Sequence, residues 1–195
     1  MVQYKMSKNL KQRAVTSTIL FLLLALSFIN NFILGYILII TAIFSVLEFA
    51  KIINIIYKKY RIKKFLYFSI FIIYIFYFFT IFLSFSNSLY LKIIIFLILL
   101  TCVASDIGGF TSGKIFKGPK LTKISPKKTI SGAIGSVIFS IIFLSLIIFY
   151  LTKDFEPLIL VIAFITSISC QLGDLFFSFL KRKSFLKNTG NFLPG

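Results

Sequence analysis

A chain of 195 residues has the length of one or two soluble domains, yet 58% of it is apolar and its mean hydropathy is +1.00. That is more apolar surface than a soluble domain can bury beneath a wettable exterior. Lys and Arg number 22 against 5 Asp and Glu, a net charge of +17, and the absence of His excludes His-ligated metals, Ser–His–Asp triads and imidazole acid–base chemistry.

The composition predicts an all-α fold: a polytopic transmembrane helix bundle forming a single integral membrane domain over residues 1–195. A spanning helix needs about 20 mainly apolar residues. Six candidates follow in chain order, at 14–29, 32–56, 65–85, 89–104, 130–151 and 157–179. The first and fourth are short, and Asn30-Asn31 separates the first two. No small-residue cleavage site follows the first apolar stretch, so a cleavable signal peptide is not expected. Cys102 and Cys170 lie in or beside apolar runs, which argues against a disulfide framework.

Between these spans the charge is unevenly placed. Lys5, Lys8, Lys11 and Arg13 precede the first span, and Lys58, Lys59, Arg61, Lys63 and Lys64 follow the second. Lys114, Lys117, Lys120, Lys123, Lys127 and Lys128 follow the fourth, and Lys181, Arg182, Lys183 and Lys187 follow the sixth. With six alternating spans, 19 of the 22 basic residues share one side. The positive-inside rule makes that side the cytoplasm, with both termini and a loop over 105–129 in it. Lys51 and Lys92, within or near spans, can snorkel. An AT-rich genome inflates the Lys count but not its placement. No soluble basic surface exists to carry nucleic acid, so none is expected as a partner. The expected location is a bacterial-type cytoplasmic (inner) membrane, multi-pass.

Acidic residues are scarce and therefore informative. Asp154 and Glu156 fall in the short outer loop and need only solvation. Glu48, Asp106 and Asp174 lie in or at the ends of apolar spans, where an ionisable group is costly and marks a candidate site. Glu48 has a plain alternative in a packing pair with Lys51. Asp106 and Asp174 fall near the cytoplasmic ends of the fourth and sixth spans, at similar depth. On the sixth, Ser167, Gln171, Asp174, Ser178 and Lys181 recur at helical spacing as one polar stripe. Cys102, Ser105, Asp106, Gly109 and Gly113 form a comparable stripe on the fourth. Two carboxylates flanked by many lysines suit Mg²⁺ with a polyphosphate.

The run Gly108 to Ile115 nearly spells a P-loop, but Ile115 stands where Ser or Thr would bind Mg²⁺, and an apolar helix precedes it. Its glycines either let backbone amides approach a phosphate or form a small-residue packing surface between helices.

The stretch Ser105-Asp106-Ile-Gly-Gly-Phe-Thr-Ser-Gly113-Lys-Ile-Phe-Lys-Gly118, with Ser125-Pro126-Lys127-Lys128-Thr129, resembles the phosphatidate cytidylyltransferases, or CDP-diglyceride synthases. Gln171-Leu-Gly173-Asp174-Leu175, Ser178-Phe-Leu-Lys181-Arg182 and Lys187-Asn188-Thr-Gly190 through Leu193-Pro194-Gly195 are similar to that family's carboxyl-terminal signature. Glu48 is similar to an acidic residue the family carries at the same place. The matching motifs cover roughly the carboxyl-terminal half.

The resemblance implies transfer of a cytidylyl group from CTP to phosphatidate, giving CDP-diacylglycerol and pyrophosphate in phospholipid biosynthesis. It implies Asp106 and Asp174 as Mg²⁺ ligands, with Asp174, Asp106 and Lys181 catalytic. Ser125, Lys127, Lys128 and Thr129 would hold the triphosphate, and Ser178, Lys181, Arg182 and Lys187 would complete the substrate contacts. CTP, phosphatidate and the lipid bilayer are the expected partners, and a homodimer is left open. Asn188 stands where the family has Asp, and the family's following His-Gly-Gly and Asp-Arg-x-Asp segments do not appear before Gly195. Little cytidylyltransferase activity is therefore expected of these 195 residues alone. The rival readings are a CTP-dependent polyprenol kinase and a small ion-coupled membrane transporter.

Overall fold

The computed structural model describes residues 2–126 and 128–186, with side chains from Val15 onward. Its elements are six helices: α1 (Val2–Ile29), α2 (Asn31–Ile56), α3 (Arg61–Ser86), α4 (Leu89–Phe116), α5 (Ile130–Thr152) and α6 (Leu158–Lys183). Five of them, α2 to α6, are long and apolar enough to cross a membrane. The apolar part of α1 within the described side chains is Val15–Ile29. The fold is all-α, and the only strand-like pairing among the described residues is one isolated bridge, Lys120 to Thr129.

Polarity is inverted relative to a soluble protein. Phe32, Ile62 and Phe65 are exposed, while the side chains buried to 1% or less include Thr101, Ser105, Ser140 and Ser167. With hydrocarbon outside, small hydroxyl residues inside let helices approach closely, and each of these four hydroxyls finds a carbonyl or a second hydroxyl. Thr101 donates to Leu97 O and Ser140 to Ser136 O, while Ser105 and Ser167 bond each other at 2.9 Å.

The described chain divides into two compact units, one of α1–α3 with the first turn of α4, the other Ile93–Lys183. In the first unit, Asn30 alone breaks the helix. It N-caps α2 from an extended conformation (φ −126°, ψ 120°), and its side chain accepts the Phe32 N–H. Helices α2 and α3 pack through stacked rings, Phe49 on Phe71 and Tyr57 on Tyr67. Lys92, expected to snorkel outward, is instead turned inward and 6% exposed. Its Nζ donates to Asn31 Oδ1 at 2.7 Å and lies 5.5 Å from the Phe28 ring, and Asn31 Nδ2 in turn donates to Ser86 O. A polar partner and a ring face within reach make burial cheaper than the stretch back to solvent.

In the second unit, residues 105–116, expected in a cytoplasmic loop, continue α4 as helix. Their glycines and hydroxyls lack the apolar signal of a span, yet they face α5 across a close contact. A Cβ at Gly108 would meet Phe139 Cβ at 2.5 Å and Gly135 O at 2.8 Å; one at Gly132 would lie 2.9 Å from Gly109 O. The glycines are thus the packing surface. In a continuous helix their amides serve the helix's own carbonyls, which removes the phosphate-loop reading. Below them Leu144, Ile159 and Ala163 form a small core with Leu97, Ile141 and Ile148 packed against it.

Replacing Gly108 by Ala should lower stability by about 1–3 kcal/mol, because the added methyl meets a Cβ and a backbone oxygen that cannot swing aside. Gly35→Ala, where the new methyl finds nothing within 4 Å, should leave the melting of the helical circular dichroism signal in detergent unchanged or raise it.

Candidate functional site

Between α4 and α5 the chain leaves the helical bundle and returns on itself. The excursion is pinned at its base, where Gly118 N donates to Ser131 Oγ at 3.2 Å and Ile130 N donates to Pro119 O at 2.9 Å. One step further out, Leu121 N donates to Lys128 O at 2.8 Å. At the tip, Ser125 N donates to Thr122 Oγ1 and Ser125 O accepts from Lys128 N. Thr129 then N-caps α5, its Oγ1 accepting the Gly132 N–H at 3.1 Å. Sequence order thus becomes placement: a basic excursion folded as a hairpin delivers Lys128 and Thr129 to one point at the start of α5.

That point is the mouth of a cavity of about 430 Å³. Helix α4 contributes Asp106, Gly109, Phe110, Gly113 and Lys114; the excursion gives Leu121, Lys128 and Thr129; α5 gives Gly132, Ala133 and Ser136; α6 gives Gln171 and Asp174. Lys128 Nζ donates to Asp174 Oδ2 at 2.8 Å, with the two side chains 29% and 57% exposed. Asp106 Oδ1 faces Cys170 Sγ at 3.6 Å. Gln171 Nε2 donates to Ala133 O and Ser167 Oγ, both at 3.3 Å, tying α6 to α5 beneath the carboxylates. Lys114 Nζ sits 5.9 Å from the Phe110 ring centroid. The amino end of α5 adds a positive dipole end to the same wall.

The sequence-predicted residues divide clearly. Asp106, Asp174, Lys128 and Thr129 line the cavity together, with Gln171, Gly109 and Gly113 from the two stripes. Ser125, Ser178, Lys181 and Arg182 do not line it. Ser125 shapes the turn, and Lys181 lies seven residues beyond Asp174, about 10 Å further along α6. Lys127 and Lys187 fall outside the described residues. Glu48, half-buried on α2, belongs to the other unit. Phe110, Lys114, Leu121 and Ser136 line the cavity without having been singled out as site residues. Lys114 was readable only as a loop cation, because its helical register on the Gly109–Gly113 face was hidden by the glycines.

The donors fit a hard divalent cation. Asp174 Oδ1 and Asp106 Oδ2 carry no hydrogen bond or ion pair among the described residues. No group of three or more His, Cys, Asp or Glu among those residues could hold a metal. Two carboxylates alone leave room for water and phosphate oxygens, the ligand set Mg²⁺ prefers.

Five helices long and apolar enough to cross a membrane, with a cavity lined by two carboxylates and two lysines beside a basic excursion, define a multi-pass membrane protein. The chain belongs to the Cytidylyltransferase family, whose profile it matches over residues 1–195. It is similar to a phosphatidate cytidylyltransferase of Helicobacter pylori (strain J99), 34% identical over 98 residues that make up 50% of this chain and 37% of the relative. A phosphatidate cytidylyltransferase of Rickettsia typhi is 36% identical over 109 residues, 51% of this chain and 48% of that one. One of Staphylococcus haemolyticus is 39% identical over 93 residues, 47% of this chain and 36% of the relative. The chain thus spans less than half the length of each of these relatives. No solved structure matches it.

The Lys128–Asp174 pair is too exposed to stabilise the fold much. A double-mutant cycle with Lys128→Met and Asp174→Asn, read as thermal melting, should give a coupling of about 0.2–1 kcal/mol. A coupling of several kcal/mol would show that the pair is a structural strut.

Proposed function

We propose that the cavity binds the triphosphate of CTP, and that the chain acts in transfer of a cytidylyl group from CTP to phosphatidate, giving CDP-diacylglycerol and pyrophosphate. The observation that carries this is the convergence of Asp106, Asp174 and Lys128 in one cavity at the start of α5. Family membership and the names of the relatives support the choice of substrate pair.

The obstacle in such a reaction is charge. A phosphomonoester must approach the α-phosphorus of a triphosphate in line, and both are anions. The nucleophile needs no general base, because a phosphate monoester is already ionised at neutral pH, which suits a chain without His. What the protein must supply is positioning and positive potential. Lys128 and Lys114 supply ammonium groups from the excursion and from α4, and the α5 amino end adds its dipole. Asp106 and Asp174 are the residues that would hold Mg²⁺, which when bound neutralises phosphate charge and fixes oxygen positions. In the resting protein Asp174 holds Lys128 at the mouth. Phosphate oxygens can then take the ammonium over, which would free Asp174 to hold the cation with Asp106. Phe110 and Leu121 make part of the wall apolar, lowering the local dielectric in which these charges act. Lys181 and Arg182, beyond the cavity along α6, would take the phosphate of a lipid at the interface. The setting is the bacterial inner membrane, with the basic excursion on the cytoplasmic side.

Asp174→Asn and Lys128→Met should each weaken Mg²⁺-dependent binding of labelled CTP to the detergent-solubilised chain by about 10- to 100-fold, the worth of one charged hydrogen bond. Near wild-type affinity in both would overturn the assignment. Where turnover is measured, label entering lipid from the α-phosphate of CTP identifies cytidylyl transfer, whereas label from the γ-phosphate identifies a lipid kinase.

Sidedness gives a separate check. Gly118 is a poor place for a reporter, since a Cβ there would lie 2.8 Å from Ser131 Oγ. Leu121→Cys, in a chain with Cys102 and Cys170 replaced by Ala, should react with an impermeant maleimide from the cytoplasmic face only, and Mg²⁺ with CTP should slow the reaction. Labelling from the opposite face would refute the orientation.

A further inference from the structure

A second cavity, of about 280 Å³, lies in the other unit, where the carboxyl end of α2 meets the amino end of α3. Its lining follows from two helical registers. On α3, Arg61, Lys64, Phe65 and Phe68 fall at spacings of three, four and seven and so share one face. On α2, Ala50, Ile53 and Asn54 do the same. The faces meet with the cations at the outer rim, Asn54 beside them, and rings running on down the wall. Ile53 is 3% exposed, while Phe65 is 74% exposed.

Neither Arg61 nor Lys64 makes an ion pair among the described residues. Lys63, by contrast, is engaged over the Tyr60 ring at 5.0 Å. The groove therefore joins unneutralised cations to an apolar wall at the place where two spans leave the hydrocarbon. A free phosphate ion would satisfy the rim and leave the exposed Phe65 ring in water. A neutral lipid would cover the rings and leave the two cations without a counter-charge. One class of molecule satisfies both halves.

We infer that this groove is a binding site for a glycerophospholipid with an anionic headgroup, its phosphate between Arg61 and Lys64 and an acyl chain along Phe65 and Phe68. None of its lining residues lines the carboxylate cavity. The guanidinium is the group that can take two phosphate oxygens at once, with the ammonium as a point charge beside it.

The chain has no Trp, so Phe68→Trp places its single tryptophan inside the groove, excited selectively at wavelengths the tyrosines do not absorb. The full chain carrying this change is reconstituted in phosphatidylcholine vesicles. Quenching by acyl-brominated phosphatidylglycerol is then compared with quenching by acyl-brominated phosphatidylcholine at equal mole fraction. The expected result is a relative association about fivefold or more in favour of the anionic lipid, the effect of one well-placed cation at an acidic membrane surface. Adding Arg61→Gln and Lys64→Gln should bring the ratio to parity, whereas Lys58→Gln with Lys59→Gln should leave it standing. The charge-retaining pair Arg61→Lys and Lys64→Arg should keep most of it. Parity in the parent, survival of the preference without Arg61 and Lys64, its loss in the charge-retaining pair, or equal loss with Lys58 and Lys59 would each overturn the site.

Discussion

Helices α4 and α5 approach so closely that a methyl group at Gly108 has no room beside Gly135 O, and at Gly132 none beside Gly109 O. In hydrocarbon no hydrophobic force draws helices together, so dispersion between bare backbones has to do what apolar burial does in water. This contact fixes where α5 begins relative to α4. It thereby fixes Thr129, whose hydroxyl can cap α5 only at that spot, and Lys128 one residue before it. The cavity lies beside that contact, closed by Gln171 and Asp174 of α6 and by Leu121 of the excursion. Asp106 lines that space because it precedes Gly109 by three residues and so shares its face.

Charge in this protein is distributed with a consistent economy. Among the described residues several cations rest over aromatic rings at the helix ends, and the carboxylates that line the cavity have company. Asp174 has Lys128, and Asp106 has a thiol and the same cavity. A pair as exposed as Lys128–Asp174 contributes little to folding but keeps an anion and a cation within one bond length of each other in a wet cleft. Such a pair opens at small cost. A buried pair would hold its geometry better and would resist being parted.

Much of this was legible in the residues. Hydropathy located α2, α3, α5 and α6 to within four positions at either end but stopped the fourth span twelve residues short of Phe116. The spacing of Ser167, Gln171 and Asp174 showed which face of α6 turns toward α5 and the cavity. The matching stripe on α4 brought Asp106 to meet it. Two features were hidden for definite reasons. The last three turns of α4 carry three glycines, a Ser and a Thr, which read as loop by composition, and the glycines of α5 facing them make a helix there worthwhile. Lys92 looks like a snorkelling residue because its partner, Asn31, is 61 positions away. Lys181 and Arg182 carry the right charge on the right helix, but the rise of that helix takes them past the cavity. Periodicity reports direction around an axis and says less about depth along it.

The hairpin between α4 and α5 is closed at its neck by Gly118, Pro119, Ile130 and Ser131, so its tip at Lys123 and Ile124 is mechanically separate from the residues that line the cavity. Closing a loop of twice the length costs only about 0.6 kcal/mol more. The tip is therefore a place where the chain can grow without moving Lys128 or Thr129. Insertions accepted there could acquire contacts with other proteins at the membrane surface, and an epitope or fluorescent tag spliced in at the same place would report on the site while leaving it intact.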